Sequence, residues 1–206
     1  MPGEGPQGEE EAARPGFWEA RWAQGRTGFH QPRPNPLLER HWAALGVPPE
    51  APVLVPLCGK SLDMVWLRQQ GHPVVGVEVV EQAVAAFFAE RGLRPRRRPA
   101  GAAVLWEAGG YRILQGDLFA LGPEEVGPVG ACYDRAALVA LPRSARRRYV
   151  AHLGRLLPAA APCLLITLDY PPGEMEGPPF SVPPEEVWEL WGRGGGQGGS
   201  RGQASA

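Results

Sequence analysis

Continuous apolar runs alternate along the chain with segments of helical periodicity. The runs VLVPL (53–57), PVVGVEV (73–79) and CLLITLDY (163–170) indicate strands that are buried on both faces, and ACYDR (131–135) indicates the end of another. Buried strands that alternate with helices are typical of a mostly parallel sheet covered by helices on both sides. The pattern therefore predicts a doubly wound α/β fold, in which ligands bind at the carboxyl ends of the strands.

Capping signals place the predicted helices between these strands. Ser61 is a candidate N-cap and Gly71 a stop for the segment between them, while Asn35 followed by Pro36 starts the segment NPLLERHWAAL. Further helices are predicted over 81–92 and 144–157. Trp18 and Trp22 stand four residues apart and would share one helix face.

The remaining segments predict a hairpin, a loop and two unstructured ends. VLWEAGGYRILQGDLF indicates two short strands around Gly109 and Gly110, and RPRRRPAGAA (94–103) before it is typical of a loop. Residues 1–13, rich in Gly, Pro and Glu, predict a disordered arm. Residues 14–191 would form one domain, followed by a disordered Gly-rich tail over 192–206.

Composition narrows the class of protein. A chain of 206 residues has room for one domain with a sizeable core, and its net charge of −1 provides no broad basic surface for nucleic acid. No apolar run could span a bilayer and the N-terminal segment is acidic, so we expect no membrane partner and a cytoplasmic protein. Three widely spaced cysteines and four histidines without metal-ligand spacing favour reduced thiols and no metal site.

The segment CGKS (58–61) after the first strand raises the question of a phosphate-binding loop. Such a loop requires a first Gly five positions before the second, and that position is Leu54, within the strand. A dinucleotide fingerprint would need three glycines where the turn has one, Gly59. The pattern argues against a pyrophosphate cradle, and a P-loop-like ATPase or GTPase is the weaker alternative.

A second feature indicates a nucleoside ligand. Glu78 ends the second strand 19 residues after Gly59, a position from which a carboxylate accepts hydrogen bonds from ribose hydroxyls. Asp117 and Leu118 follow another strand end, where adenine could take one polar and one apolar contact. A ribose site without a pyrophosphate cradle fits S-adenosylmethionine, so the spacing favours a methyltransferase.

Several long motifs resemble the thiopurine S-methyltransferase family, in particular its bacterial members. They are FWEARWAQGRTGFHQPRPNPLLERHW, PLCGKSLDMVWL, GHPVVGVE, DRAALVALP, RYVAHL, LLITLDY and GPPFSV, which together extend from about Phe17 to Trp191. The resemblance implies a class I S-adenosylmethionine-dependent methyltransferase with a Rossmann-like sheet. It also implies acceptors that are aromatic or heterocyclic thiols, and bacterial relatives are associated with selenium and tellurium compounds as well.

Carried over residue by residue, the resemblance implies a set of binding positions. The implied cofactor contacts are Trp18, Trp22, Leu57, Glu78, Asp117, Leu118 and Arg135. Phe29 would face the acceptor and cover the site, and Arg135 would lie near both the methionine end of the cofactor and the acceptor. No catalytic residue is implied, because a heteroaromatic thiol is largely ionised near neutral pH and alignment carries the reaction. Arg135 would favour the anionic acceptor electrostatically, and family character implies a monomer.

The tail departs from the family pattern. Relatives normally continue past EVWELWG with a pair of strands at the sheet edge, whereas here the chain runs into RGGGQGGSRGQASA. We therefore expect a sheet that lacks the C-terminal strand pair. An inactive homologue that retains only cofactor binding is the alternative that this departure leaves open.

Overall fold

The computed structural model describes residues 7–12 and 16–192, which form one mixed sheet with helices on both faces. The strands are β1 Val53–Pro56, β2 Val74–Glu78, β3 Arg96–Ala100, β4 Ala103–Ala108, β5 Tyr111–Gln115, β6 Ala131–Asp134 and β7 Cys163–Leu165. The helices are α1 Gln7–Ala12, α2 Phe17–Ala23, α3 Pro36–His41, α4 Leu62–Gln69, α5 Glu81–Ala89, α6 Pro123–Val126, α7 Arg143–Leu156 and α8 Pro184–Trp191. None of the described helices is both long and apolar enough to cross a membrane.

The sheet order is β3-β4-β5-β2-β1-β6-β7. From β5 to β7 all neighbouring strands are parallel, while β3 and β4 pair antiparallel with each other and β4 with β5. The strands β1 and β2, which stand at the centre, are buried throughout because helices cover both faces. This confirms the predicted α/β fold with a mostly parallel sheet.

Alternate residues of the central strands feed two cores. Val53 and Val55 of β1 pack with Met64 of α4 and Phe87 of α5 on one face. Leu54 points to the opposite face, which α7 covers. The predicted caps are also confirmed: the Asn35 side chain accepts from the Leu37 N–H at 2.9 Å, and the Ser61 hydroxyl from the Asp63 N–H at 3.1 Å.

The arginine-rich segment was wrongly predicted as a loop. Arg96–Ala100 is strand β3, which forms the outer edge of the sheet and is almost fully exposed. Pro99 is tolerated there because an edge strand needs no donor on its open side, and charged side chains suit an edge. The Arg97 guanidinium also lies 3.4 Å from the centroid of the Trp106 ring. The hairpin around Gly109 and Gly110 is confirmed as β4 and β5.

The last strand is shorter than predicted. The apolar run 163–170 was expected to be a strand throughout, but β7 ends at Leu165. Its neighbour β6 ends at Asp134, and the final bond of the pair joins the Ile166 N–H to the Asp134 carbonyl at 2.8 Å. In the described part of the chain after β7 there is one α-helix, α8, and no strand.

The N-terminal prediction needs one correction. Residues 7–12, which were expected to belong to a disordered arm, form helix α1. Glutamate is a good helix former and acidic residues favour the first turn of a helix, and Ala12 is buried. The rest of the predicted arm, at 1–6 and 13, and the tail from 193 onward lie outside the described residues.

Candidate active site

A cavity of about 520 Å³ lies at the carboxyl ends of β1, β2, β6 and β7. It is lined by the residues that follow these strands, together with α2 and the loop after it. This is the edge of a parallel α/β sheet at which ligands bind, and the volume suits a small organic molecule. Its lining includes six of the eight predicted site residues: Trp18, Trp22, Phe29, Leu57, Glu78 and Arg135.

The turn after β1 brings backbone directly against the cavity. Leu57 and Gly59 both have left-handed backbone conformations, with φ of 48° and 52°. Such a φ is uncommon for a residue other than glycine, and strained residues of this kind concentrate at binding sites. A side chain at Gly59 would place Cβ 3.5 Å from the Trp22 ring. That distance is an ordinary van der Waals contact, so the positive φ, and not a lack of space, is what favours glycine at this position.

Glu78 is held rigidly at the end of β2. Its Oε2 accepts from the Gly59 N–H and its Oε1 from the Val80 N–H, both at 2.8 Å. The side chain is buried, and desolvation raises its pKa in spite of these bonds. A carboxylate has about four acceptor positions, so two remain for a ligand in the cavity.

These contacts answer the question raised by Gly-Lys-Ser. The Gly59 N–H is bonded to Glu78, the Lys60 ammonium pairs with Glu90, and the Ser61 hydroxyl caps α4. A phosphate-binding loop would direct these groups at a ligand. Because each has a protein partner, the geometry disfavours the triphosphate-binding alternative.

Three aromatic rings cover the cavity from the N-terminal side. Phe29 packs edge-on against Trp18 and Trp22, with ring centroids 5.7 and 5.9 Å apart. Trp22 is buried and packs with Val80 and Ala83 at the start of α5, which anchors α2 to the sheet. The two tryptophans, which the sequence places on one face of α2, thus both pack against other apolar side chains.

Arg135, just after β6, is bound on three sides. Its Nε donates to Oδ2 of Asp63 at 3.2 Å, one Nη to the Phe29 carbonyl at 3.3 Å and the other to the Ser61 hydroxyl at 3.4 Å. A guanidinium has five N–H groups, so two remain for a ligand. The guanidinium lines the cavity with 16% of its side chain exposed.

Asp63 is a site residue that sequence reasoning missed. Its side chain is 2% exposed and accepts from the Asn35 N–H at 2.7 Å and from the Tyr133 hydroxyl at 2.9 Å, as well as from Arg135. Burial and the neighbouring Asp63 raise the pKa of Tyr133. An acidic residue in the first turn of a helix is ordinarily explained by the helix dipole, so the pattern carried no signal for this role.

Asp134, next to Arg135, has a structural role. Its Oδ1 accepts from the Ala137 and Leu138 N–H groups at 3.0 and 3.2 Å, and its Oδ2 from the Tyr149 hydroxyl at 2.7 Å. The Asp134 side chain therefore caps the segment that follows β6.

The two remaining predicted residues do not line the cavity. The Asp117 carboxylate accepts from the Phe119 N–H at 2.9 Å, and Leu118 is buried in the core. The residue that precedes them, Gly116, donates its N–H to the Glu78 carbonyl at 2.9 Å. Their contact with adenine stays a prediction, as do the binding roles of the other six.

The thiol of Cys58 is buried and packs in the core. Burial raises its pKa, and a Cβ at Gly76 would lie 2.7 Å from its sulfur. Among residues 7–12 and 16–192, no group of three or more His, Cys, Asp or Glu side chains could hold a metal ion.

Comparison with known proteins identifies the family. The family model described as thiopurine S-methyltransferase (TPMT) matches residues 13–197. A thiopurine S-methyltransferase of Bordetella petrii is 53% identical over 85% of this chain and 80% of its own, and one of Pseudomonas entomophila is 51% identical over 84% and 80%. The chain belongs to the thiopurine S-methyltransferase family. Membership confirms the predicted enzyme class, a methyltransferase that uses S-adenosylmethionine.

Solved structures of similar fold agree with this class. A Burkholderia thailandensis 1,6-didemethyltoxoflavin-N1-methyltransferase, solved with S-adenosylhomocysteine, superimposes with a TM-score of 0.57 at 19% identity and covers 84% of this chain and 68% of its own. A TehB-like S-adenosylmethionine-dependent methyltransferase from Corynebacterium glutamicum has a TM-score of 0.52 at 16% identity, with 85% and 79% covered. At these identities the likeness concerns the fold.

Proposed function

We propose that this chain transfers the methyl group of S-adenosylmethionine to the sulfur of small aromatic or heterocyclic thiols such as thiopurines, and that Glu78 and Arg135 hold the two reactants. The observation that carries the proposal is the cavity itself. A carboxylate fixed by two backbone N–H groups and a guanidinium with two free N–H groups line one cavity, beneath three aromatic rings.

The residues present fit a nucleoside cofactor. Glu78 has acceptor positions left for two ribose hydroxyls. At Gly59, in the turn after β1, no side chain separates the backbone from the cavity. Trp18 and Trp22 provide flat apolar surface above this turn. When bound there, S-adenosylmethionine would supply a methyl group on a sulfonium, from which the neutral thioether of S-adenosylhomocysteine leaves readily.

The other side of the cavity suits a flat acceptor. Phe29, Ile166, Pro178 and Pro179 give it apolar walls, and Arg135 supplies the positive charge that an anionic thiolate prefers. The Asp63 carboxylate balances part of that charge, so the two free N–H groups act as directed hydrogen-bond donors. Selenium and tellurium compounds stay a prediction.

In this mechanism the protein aligns the reactants and excludes water. Asp63 and Glu78, two carboxylates of the cavity wall, already accept hydrogen bonds from the protein, and an ionised thiol needs no base. Holding the thiolate in line with the methyl group converts a bimolecular step into a nearly unimolecular one, and effective molarities for good alignment reach about 10⁵ M. Phe29 and the two tryptophans shield the reacting sulfur from solvent.

The test is methyl transfer by the full chain from S-adenosylmethionine to 6-mercaptopurine, with the S-methyl product identified by mass spectrometry. The matched control is 6-hydroxypurine, which has oxygen in place of sulfur and should gain no methyl group. Product from the thiol alone supports the proposal. Folded protein that binds S-adenosylhomocysteine but methylates no thiol would overturn the proposed acceptor and support the inactive homologue.

A further inference from the structure

We propose that Asp63 is a positioning residue that sets the orientation of Arg135 and the position of the loop carrying Phe29. The proposal rests on the proposed function, since it concerns how the acceptor side of that site is built. Asp63 touches no reactant in this account and acts through Arg135.

The first step is the convergence of three donors on one buried carboxylate. Oδ2 accepts from Arg135 Nε and the Tyr133 hydroxyl, and Oδ1 from the Asn35 N–H, at distances of 3.2, 2.9 and 2.7 Å. A carboxylate that is 2% exposed can hold a guanidinium in one direction, because bonds between charged partners are strong and geometrically specific. The hydrogen bond from Arg135 Nε to Asp63 therefore sets the plane of the guanidinium.

The second step is what that orientation leaves for the ligand. With Nε turned to Asp63, the two Nη groups reach the Phe29 carbonyl and the Ser61 hydroxyl, and one N–H on each remains. Arg135 lines the cavity, so these remaining N–H groups are the ones available to an acceptor there. Rotation of the guanidinium would break all three bonds and remove the paired donors from the acceptor.

The third step links the Asp63 carboxylate to the loop that carries Phe29, one of the aromatic residues lining the cavity. Asn35 caps α3 and ends the loop that contains Phe29, and its N–H is held by Asp63. Arg135 holds the Phe29 carbonyl within the same loop. Asp63 thus holds the loop directly at Asn35 and indirectly at Phe29, so loss of its charge should loosen the acceptor side.

The test is a double-mutant cycle in the full chain with 6-mercaptopurine as acceptor. Asp63→Asn keeps the shape but removes the charge, and we expect kcat/KM to fall about tenfold or more. In an Arg135→Ala background the same substitution should change kcat/KM by less than about twofold, because only the direct contact with the Asn35 N–H is then left and the asparagine carbonyl can still accept it. Equal losses in both backgrounds would overturn the proposal.

A matched control separates positioning from general destabilisation. Glu186→Gln makes the same carboxylate-to-amide change in another buried arginine pair, with Arg146, away from the cavity. It should lower the melting temperature while leaving kcat/KM of the folded enzyme unchanged. If Glu186→Gln and Asp63→Asn reduce kcat/KM equally, Asp63 has only a structural role.

A measurement on the unmodified chain covers the case in which Asp63→Asn does not fold. The Nε–H resonance of Arg135, assigned by its loss in Arg135→Lys, should exchange slowly with solvent because it is bonded to a buried carboxylate. Exchange as fast as that of an exposed arginine would overturn the inference. This readout needs no methyl transfer, so failure of the proposed function and failure of this inference remain distinguishable.

Discussion

The backbone N–H of Gly59 donates a 2.8 Å hydrogen bond to Oε2 of Glu78, which joins the turn after β1 to the end of β2. The two strands are parallel neighbours, so their carboxyl ends meet at one edge of the sheet. The bond fixes the carboxylate before any ligand arrives. Ligand binding therefore loses no affinity to the conformational entropy of ordering this turn. In the proposed function, the protein's own backbone thus positions the carboxylate that would bind the cofactor.

Replacing Glu78 by glutamine should weaken S-adenosylhomocysteine binding by about tenfold to a hundredfold. A charge-assisted hydrogen bond contributes about 1.5–3 kcal/mol, and about 1.4 kcal/mol corresponds to a tenfold change in affinity. Glutamine also has one acceptor oxygen where Glu78 uses two, so one of the Gly59 and Val80 N–H groups loses its partner. Quenching of tryptophan fluorescence measures the affinity.

The matched control for that substitution is Glu107→Gln. Glu107 lies on β4 in exposed ion pairs with Arg98 and Arg112, away from the cavity. Its removal should leave the affinity unchanged, since exposed pairs contribute little. Equal weakening by both substitutions would mean that Glu78 does not contact the cofactor.

The affinity for S-adenosylhomocysteine should fall on acidification at a higher pH than an ordinary glutamate would require. Burial raises the pKa of Glu78 above its usual value of 4.5. Only the ionised form accepts from two ribose hydroxyls, so affinity is complete above the raised pKa and declines as pH falls through it. Titrations at a series of pH values should show this decline beginning above pH 4.5. A flat profile down to that pH would contradict the assigned role.

Arg135→Lys should reduce kcat/KM for 6-mercaptopurine about tenfold or more. Lysine keeps the charge but lacks the planar fork that binds Asp63, Phe29 and Ser61 together while offering donors to the acceptor. Steady-state kinetics measure the loss, with Arg143→Lys at a mostly exposed arginine as the control. Full turnover by Arg135→Lys would exclude a role for the guanidinium geometry.

Arg146→Ala should destabilise the fold by about 3 kcal/mol, the loss typical of removing one partner of a buried ion pair. Arg146 is 2% exposed and donates to the Leu141 and Ser181 carbonyls and to Glu186, which ties α7 to the start of α8. Urea unfolding measures the change, and Arg147→Ala on the exposed face of α7 should have little effect. Comparable losses for both variants would show that this contact does not anchor the C-terminal segment.

Much of the fold could be predicted from the sequence because its signals are local. Asn35 and Ser61 cap helices as expected, and the apolar runs at 53–57 and 73–79 form the central strands. The segment around Arg97 was missed because its strand is stabilised by pairing and by stacking on Trp106, and these contacts come from elsewhere in the chain.

In the candidate site, too, residues marked by local sequence signals were predicted and residues defined by distant contacts were missed. Glu78 was found because its spacing from Gly59 reflects the geometry of one βαβ unit. Asp63 was missed because its meaning depends on Tyr133 and Arg135, some 70 residues away in sequence and adjacent only in the folded chain. The left-handed backbone of Leu57 also gave no signal, since leucine rarely adopts it.

The most direct test of the account is a calorimetric titration of the full chain with S-adenosylhomocysteine. The cavity at the carboxyl ends of β1 and β2 predicts binding of one molecule per chain, and competition by S-adenosylmethionine but not by a nucleoside triphosphate. The absence of binding by folded protein, or displacement by a triphosphate with magnesium, would contradict the assignment of this cavity as the cofactor site.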